Sequence, residues 1–330
     1  MFTHRMRHLL AFFPFIFFIA LLGCDSGRRQ NQPIPQARTT FLPAAVPVFD
    51  GKRAFDYLLA QTNFGPRNPG SMGHSACLKY LHDELSKYAD AVSLQQFTAR
   101  DGKGNEQKLT NVIASFNLQT TYRVLLSAHW DTRPWADQDP NPANHNKPIL
   151  GANDGASGVA ILLEIARHLK ASPPPVGVDI VLFDGEDLGR TGSLDFFALG
   201  SKYFAANKPS GFQPRFGINL DMVGDKQLTI DREQNSDRFA PDINDMVFAV
   251  AKELGITQFD PRRGDEIYDD HLPLNHVGIR TINLIDFNYP DETNKHWHTL
   301  EDTPDKCSLE SLEAVGKVVM QVIYAKAATL

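Results

Sequence analysis

From residue 50 onwards, apolar runs typical of buried strands alternate with amphipathic helical segments. This alternation is the sequence sign of a mostly parallel sheet that is covered by helices on both faces. The strand candidates span 109–116, 122–131, 178–187, 216–224 and 280–287. The helix candidates, whose apolar residues recur with the helical period, span 52–61, 74–88, 157–171, 241–254 and 309–327. We therefore predict a single α/β domain with a central, mostly parallel sheet flanked by helices.

Two stretches, 132–153 and 257–279, show neither pattern and are too long for simple connections. We predict that they form walls of a functional site. The 330 residues, 42% of them hydrophobic, are enough for one large core. A net charge of -6 without any basic run argues against nucleic acid as a partner.

The N-terminus has the layout of an export signal, with a basic start, an apolar stretch from Leu9 to Leu22, and Gly23 before Cys24. The apolar stretch is shorter than the roughly 20 residues of a spanning helix. The letters LLGC resemble the lipobox of bacterial lipoproteins, in which the cysteine is acylated. An ordinary cleaved signal and an uncleaved anchor are the alternatives. All three predict export to the bacterial cell envelope, with a lipid on Cys24 as the expected membrane attachment.

Residues 25–49 are polar and contain prolines without a hydrophobic period, which predicts a flexible tether between the leader (1–24) and a folded domain (50–330). Besides Cys24, only Cys77 and Cys307 remain, too few for a disulfide framework. One bridge is the alternative to two buried free thiols, which we expect. We also expect a monomer.

The strand at 178–183 ends on three carboxylates, Asp184, Glu186 and Asp187, around a glycine. Neighbouring like charges disfavour each other's ionised form, so water or a cation must reach them. This turn is therefore either solvated or part of a metal site with a general base beside it.

Ligands of open α/β sheets collect beyond the carboxyl ends of the strands. The residues there that can bind metals or move protons are His129, Asp131, Asp154, Asp184, Glu186, Asp187, Asp221 and His298. Neutral imidazole and carboxylate are ligands of catalytic zinc. Each residue alone has a structural explanation, such as a helix cap for Asp154. Their joint placement favours a metal site in which Asp187 faces the ion and Glu186 stays free to move protons.

Five motifs, AHWD, GANDGASG, FDGED, NLDMVG and HWHT, in that order, resemble the zinc-binding motifs of the M28 metallopeptidase superfamily. This superfamily includes zinc aminopeptidases and glutaminyl-peptide cyclotransferases. The resemblance covers residues 50–330 and implies a phosphorylase/hydrolase-like fold with a mixed sheet. The segments FGPRNPGS (64–71) and YDDHLPLNHVGI (268–279), with Trp297 before the histidine of HWHT, resemble the cyclotransferase branch.

The resemblance implies one zinc per chain on Asp154, Asp187 and His298. His129 and Asp221 match the ligands of the second zinc in two-metal aminopeptidases, so two ions remain an alternative.

For catalysis, the resemblance implies that Glu186 is the proton shuttle. Asp269 and Asp221 belong to the hydrogen-bond network around it, and the first acid of the YDDH segment bonds to the catalytic groups. Trp297 lines the substrate pocket.

Three departures make the chain resemble bacterial members of the group rather than animal ones. Asp187 stands where animal cyclotransferases have glutamate, and Asn283 stands where they have a histidine. Their tryptophan after the acidic pair has no counterpart in 188–193.

The implied activity is cyclisation of the N-terminal glutamine of peptides or proteins to pyroglutamate with loss of ammonia. An exported zinc aminopeptidase with the same ligands is the alternative, and a lipid-anchored domain without catalysis is a third hypothesis. Trp135 and His145 either touch substrate or belong to a surface loop packed on itself.

Overall fold

The computed structural model of the chain describes residues 45–190 and 192–329. The predicted leader with Cys24, and residues 25–44 of the predicted tether, lie outside them. Phe49, which the sequence places in the tether, is buried, and its ring fills the space beside Gly316. Among the described residues, no helix has both the length and the apolar character needed to cross a bilayer.

The helices of the described residues are α1 (Gly51–Thr62), α2 (Met72–Ser86), α3 (Ala156–Ala171), α4 (Leu199–Asn207), α5 (Gln234–Phe239), α6 (Pro241–Glu253), α7 (His271–His276) and α8 (Leu309–Gln321). The strands are β1 (Ala91–Arg100), β2 (Glu106–Phe116), β3 (Arg123–His129), β4 (Gly177–Phe183), β5 (Gly217–Asp221), β6 (Ile230–Arg232), β7 (Phe259–Arg263) and β8 (Thr281–Ile285).

In the described part of the chain, six strands form one sheet in the order β1-β2-β4-β3-β5-β8, and β6 pairs with β7 in a small second sheet. Strands β4, β3, β5 and β8 run parallel, whereas β2 is antiparallel to both β1 and β4. Every residue of β4 is buried, which accounts for its mostly apolar sequence, and its one charged residue, Asp179, is paired with Arg123. The predicted single α/β domain with a mostly parallel, mixed sheet is confirmed.

Helices cover both faces of the sheet. Successive residues of a strand point to opposite faces, so each inner strand contributes side chains to the core on either side. On one face, Leu126 of β3 belongs to the main core, which also contains Leu58 of α1 and Leu312 of α8. On the other face, Leu125 packs with Phe204 of α4. The sheet is thus buried on both sides, and its strand ends are left to carry polar side chains.

All five predicted strands and all five predicted helices are present, but the sequence pattern misses the shorter and more exposed elements. Most residues of β1 are exposed, so its sequence contains no long apolar run. The stretch 257–279, predicted to be irregular, contains β7 and α7, which are too short to show a period. The stretch 132–153 is irregular as predicted, apart from a 3₁₀ turn at Pro142–Asn144.

Cys77 and Cys307 are both buried free thiols, as expected.

Candidate metal centre

The polar side chains predicted at the strand ends meet at one edge of the sheet. His129 is the last residue of β3, and Asp221 is the last residue of β5. The acidic turn 184–187 follows β4, and Asp154 lies two residues before α3. His298 follows β8 in the chain. Parallel strands end at the same edge, so residues far apart in sequence come together there.

Asp154, Asp187 and His298 form the first of two candidate metal sites, with one ligand atom of each within 4.8 Å of the others. His298 Nε2 lies 3.3 Å from Asp187 Oδ2 and 3.6 Å from Asp154 Oδ2. Ligand atoms around a tetrahedral zinc ion are about 3.3–3.5 Å apart. Asp187 Oδ2 is buried and accepts no hydrogen bond from the described residues. This set therefore fits a zinc ion with a fourth position open to a substrate.

His129, Asp154 and Asp221 form the second candidate site. His129 Nε2 lies 3.1 Å from Asp154 Oδ1 and 3.1 Å from Asp221 Oδ1, which is hydrogen-bond distance. Burial works against a charged imidazole, yet the carboxylates of Asp221, Asp131 and Asp154 raise the pKa of His129 well above its ordinary value. A protonated His129 donates to these acids, whereas a neutral His129 offers a second metal ligand. Asp154 belongs to both sites.

Two glycines allow the close approach of these loops. Gly155 has a φ of 102°, and a Cβ there would lie 2.5 Å from the carbonyl oxygen of Asp131. Gly185, within the acidic turn, has a φ of 78°. The carboxylate of Asp131 accepts hydrogen bonds from the backbone nitrogens of Glu186 (3.0 Å) and Asp187 (3.4 Å). These bonds hold the acidic turn against the end of β3.

Asp302 holds the loop that carries Asp154. Its carboxylate accepts hydrogen bonds from the backbone nitrogens of Asn153 (2.8 Å) and Asp154 (3.2 Å), and from the hydroxyl of Tyr289 (2.9 Å). Burial, and then the charge of Asp154, raise the pKa of Asp302 to about 7. His298 has a φ of 56°, a left-handed conformation that strains a non-glycine residue and is common at functional sites.

Glu186 belongs to neither candidate metal site but lines the cavity beside them. Burial raises the pKa of Glu186 well above its ordinary value, and the charges of Asp187, Asp269 and Asp270 act in the same direction, against the opposing effect of His129. A carboxyl group with a raised pKa beside a metal site can act as a general base and then as a general acid.

Asp269 is held by two amide side chains. Its Oδ2 accepts hydrogen bonds from Nδ2 of Asn219 (3.1 Å) and Nδ2 of Asn283 (2.6 Å). Burial, and then the charge of Asp221, raise the pKa of Asp269 to about 6. Asp269 Oδ2 is thus occupied by two amides, and the implied bond from Asp269 to the catalytic groups stays a prediction.

A cavity of about 410 Å³ opens over the first candidate site. Its apolar and aromatic wall residues are Leu194, Phe197, Met222, Ile267, Tyr268, Ile285, Phe287 and Trp297. The structure thus places Trp297 in the cavity wall. Its ring stacks on His298 with centroids 3.6 Å apart and meets Phe287 edge-on at 5.1 Å. The aromatic wall and a metal ligand are therefore in direct contact.

Trp135 and His145 belong to a loop that packs on itself. Trp135 is buried beneath Lys103, whose Nζ lies 4.2 Å from the ring centroid. His145 Nε2 lies 2.7 Å from the carbonyl oxygen of Asp139. Among the described residues that line the cavity, neither Trp135 nor His145 is found. These contacts favour the second of the two alternatives for this loop.

Sequence reasoning missed several polar residues around the site. Arg133 lies in the loop after β3 with its side chain buried against Asp187, and Asn219 lies within β5. Asp302 also escaped notice. The available signal for Asn219 was an amide inside a strand with an otherwise apolar sequence, since buried polar groups need partners.

A hydrolase-like α/β sheet with two carboxylates and an imidazole around one position at its strand ends is the arrangement of the zinc exopeptidase type of fold. The profile of peptidase family M28 matches residues 111–323. The crystal structure of a zinc-dependent exopeptidase from Parabacteroides distasonis superposes with a TM-score of 0.83 at 38% identity, covering 86% of this chain and 100% of that one.

The crystal structure of Bacteroides thetaiotaomicron glutaminyl cyclase also superposes with a TM-score of 0.83, at 42% identity and the same coverage of 86% and 100%. Aminopeptidase YwaD of Bacillus subtilis is 25% identical over 239 residues, which are 71% of this chain but only 46% of that protein. The chain belongs to peptidase family M28, as its motifs predict. The glutaminyl cyclases among its relatives bear out the predicted branch.

Proposed function

We propose that this protein is a zinc-dependent glutaminyl-peptide cyclotransferase, which converts the N-terminal glutamine of peptides or proteins to pyroglutamate and releases ammonia. The observation that carries the proposal is the cluster of Asp154, Asp187 and His298 at a small aromatic cavity with the spare acid Glu186 beside it. The 42% identity to a bacterial glutaminyl cyclase over the whole of that chain supports the reaction.

Asp154, Asp187 and His298 would hold one zinc ion, and the unpartnered Oδ2 of Asp187 would be one of its ligand atoms. When bound, zinc polarises the side-chain carbonyl of the substrate glutamine as a Lewis acid. The surrounding chain supplies binding, orientation and proton transfer.

Glu186 carries out the proton transfer. The α-amine loses a proton as its nitrogen attacks the side-chain carbonyl carbon, and the C–N bond to the departing ammonia breaks as that nitrogen gains a proton. Glu186 takes the first proton as a carboxylate and delivers the second as an acid. Its raised pKa means that Glu186 takes up a proton more readily than an ordinary glutamate does.

Ring closure is mainly a positioning task, because the attacking amine and the carbonyl belong to the same residue. The walls formed by Trp297 and Phe287 limit the rotation of the bound glutamine and exclude water. The buried acids that line the cavity, Asp221 and Asp269 among them, can accept hydrogen bonds from the neutral α-amine and so orient it.

A zinc aminopeptidase is the second candidate, because His129, Asp154 and Asp221 form a second group able to hold a metal. The similarity to aminopeptidase YwaD points the same way. In that reaction Glu186 takes its proton from water, which attacks the first peptide bond.

Product masses distinguish the two reactions. The zinc-loaded protein is incubated with a Gln-initiated and an Ala-initiated peptide of otherwise identical sequence. Loss of ammonia from the first alone supports cyclisation, whereas release of a whole residue from either peptide favours the aminopeptidase. No change in either peptide overturns both proposals.

We also propose that residues 1–24 direct export, that Cys24 carries a lipid, and that residues 25–49 tether a monomeric catalytic domain (50–330) to the bacterial envelope. The sequence before Cys24 supports this. Native protein should fractionate with membranes and begin at a modified Cys24, and Cys24→Ala should not carry the modification. Mass spectrometry of the mature N-terminus tests this directly.

A further inference from the structure

Arg133 joins the metal ligand Asp187 to a second carboxylate, Asp137. Its side chain is 1% exposed, and Nη1 donates a hydrogen bond of 2.7 Å to Asp187 Oδ1. Nε and Nη2 donate to Oδ1 and Oδ2 of Asp137, both at 2.7 Å. The rings of Trp135 and Phe197 lie 5.4 Å and 5.6 Å from the guanidinium carbon. Three charge-assisted hydrogen bonds and two aromatic rings therefore fix this guanidinium.

Because of the contact with Arg133, the two carboxylate oxygens of Asp187 have different surroundings. Oδ1 accepts the hydrogen bond from Arg133. Oδ2 lies 3.3 Å from His298 Nε2 and has no hydrogen-bond partner in the described part of the chain. A free carboxylate can rotate and offer a metal either oxygen or both. With Oδ1 engaged, Oδ2 is the oxygen left to face the metal position.

Asp137 lies behind the other ligand, His298. Asp137 Oδ1 is 3.7 Å from His298 Nδ1, the ring nitrogen that faces away from Asp154 and Asp187. The backbone nitrogen of Gln138 donates to the carbonyl oxygen of His298 at 3.2 Å. A carboxylate near the outer nitrogen favours a proton on Nδ1, which leaves the lone pair of Nε2 for the metal.

We propose that Arg133 and Asp137 form a brace that positions Asp187 and His298 and thereby sets the zinc affinity of this site. Both are positioning residues, since they act through the ligands. Asp137 cancels the charge of the guanidinium, so the brace orients the ligands without adding net charge beside the metal. The inference rests on the zinc site of the proposed function, but not on which reaction the site performs.

The test measures zinc affinity without substrate. Metal-free wild type, Asp137→Asn, and the double variant Arg133→Met with Asp137→Asn compete for zinc with a chromophoric chelator at neutral pH. Loss of a residue that orients a metal ligand typically weakens metal binding about 10- to 100-fold. We expect a loss of this size in both variants. Arg133→Lys keeps the positive charge but cannot make the two parallel hydrogen bonds to Asp137, so we expect an intermediate loss of zinc affinity.

Arg123 and Asp179 provide the matched control. They form a similar pair of parallel hydrogen bonds, in which Arg123 Nε donates to Asp179 Oδ2 and Nη2 donates to Oδ1, both at 2.7 Å. Arg123 begins β3, whereas His129 ends it, which places the control pair about 20 Å from the metal position. Arg123→Met with Asp179→Asn should lower thermal stability but keep the wild-type zinc affinity.

Asp137→Asn is nearly isosteric, so it decides the question if the double variant does not fold. Zinc affinity of Asp137→Asn within about threefold of the wild type, against the larger loss expected, overturns the brace. Failure of the wild type itself to bind zinc removes the metal site and the proposed function together. The two failures are thus distinguishable.

Discussion

The side-chain amide of Asn283 donates a hydrogen bond of 2.6 Å to Oδ2 of Asp269. Asn283 lies in β8, and Asn219 of the neighbouring β5 donates to the same oxygen at 3.1 Å. All three side chains are buried. Two adjacent strands, β5 and the edge strand β8, therefore hold Asp269 in place, although burial and Asp221 raise its pKa to about 6.

Replacing Asn283 by alanine should therefore cost both stability and activity. The shared oxygen of Asp269 keeps only the longer of its two bonds, and losing a buried hydrogen bond to a charged group costs about 1.5–3 kcal/mol. We expect urea unfolding at neutral pH to show a decrease of this size in the free energy of unfolding. Asn207→Ala, at an exposed asparagine bonded to its own helix, should change it by less than about 0.5 kcal/mol. Equal stability of the two variants would remove this role from Asn283.

Replacing Glu186 by glutamine should abolish turnover while zinc stays bound. The amide cannot take a proton from the α-amine, and general acid–base catalysis contributes about 10²–10⁴-fold in rate. Glu186 is not part of either ligand cluster, so zinc content measured by elemental analysis should match the wild type.

Glu266→Gln is the control for this experiment, because Glu266 also lines the cavity but is half exposed. It should keep most of the activity. Full activity of Glu186→Gln excludes Glu186 from the mechanism, and loss of its zinc assigns Glu186 to metal binding instead.

The sequence predicts the inner sheet and the site because both rest on strong local signals. The fully buried β4 reads as an apolar run, and its end, Phe183, leads directly into the acidic turn. The ends of β3 and β5 carry His129 and Asp221 in the same way. Because ligands collect at the carboxyl ends of parallel strands, these residues are predicted to lie close together.

The partners around the site are not visible in the sequence, because they depend on side-chain directions in irregular segments. The sequence around Arg133 predicts an exposed cation in a loop, yet its side chain is buried between Asp187 and Asp137. Asp302, four residues after His298, holds the backbone of Asp154 across almost half the chain. Such contacts follow from loop conformation, for which residue type and periodicity give no rule.

Asp286, which belongs to neither candidate metal site, should make stability depend on pH. It accepts hydrogen bonds from the backbone nitrogens of Thr229 (2.8 Å) and Asn288 (3.0 Å), and burial raises its pKa to about 7. The folded state therefore holds this proton more tightly than the unfolded chain. The stability it contributes is fully present below about pH 4 and is lost as the pH rises to about 7, by at most about 4 kcal/mol.

Asp286→Asn has no proton to lose at this position. The difference in the free energy of unfolding between variant and wild type should therefore shift in favour of the variant from about pH 4 to about pH 8. Urea unfolding across this range measures the shift. Asp56→Asn, which breaks an exposed ion pair with Lys52, should show a small and nearly constant difference. If the difference in the free energy of unfolding is also constant for Asp286→Asn, the pKa of Asp286 is not raised in the folded state.

Removing the metal should abolish activity and lower the melting temperature. Without a cation, several buried acids face one another across the site, namely Asp154, Glu186, Asp187, Asp221 and Asp269. A ligand that binds only the folded state at about a thousand times its Kd stabilises it by about 4 kcal/mol. Adding zinc back should restore the activity, and calorimetry should show that it also restores the melting temperature.

The number of ions then separates the two candidate sites. We expect native mass spectrometry to count one tightly held zinc, because His129 Nε2 already lies at hydrogen-bond distance from Asp154 and Asp221, and these acids raise its pKa. His298→Ala should lose that ion, and His129→Ala should keep it. The reverse pattern moves the ion to the second site, and two ions per wild-type chain favour the aminopeptidase, since both ligand clusters are then filled through the shared Asp154.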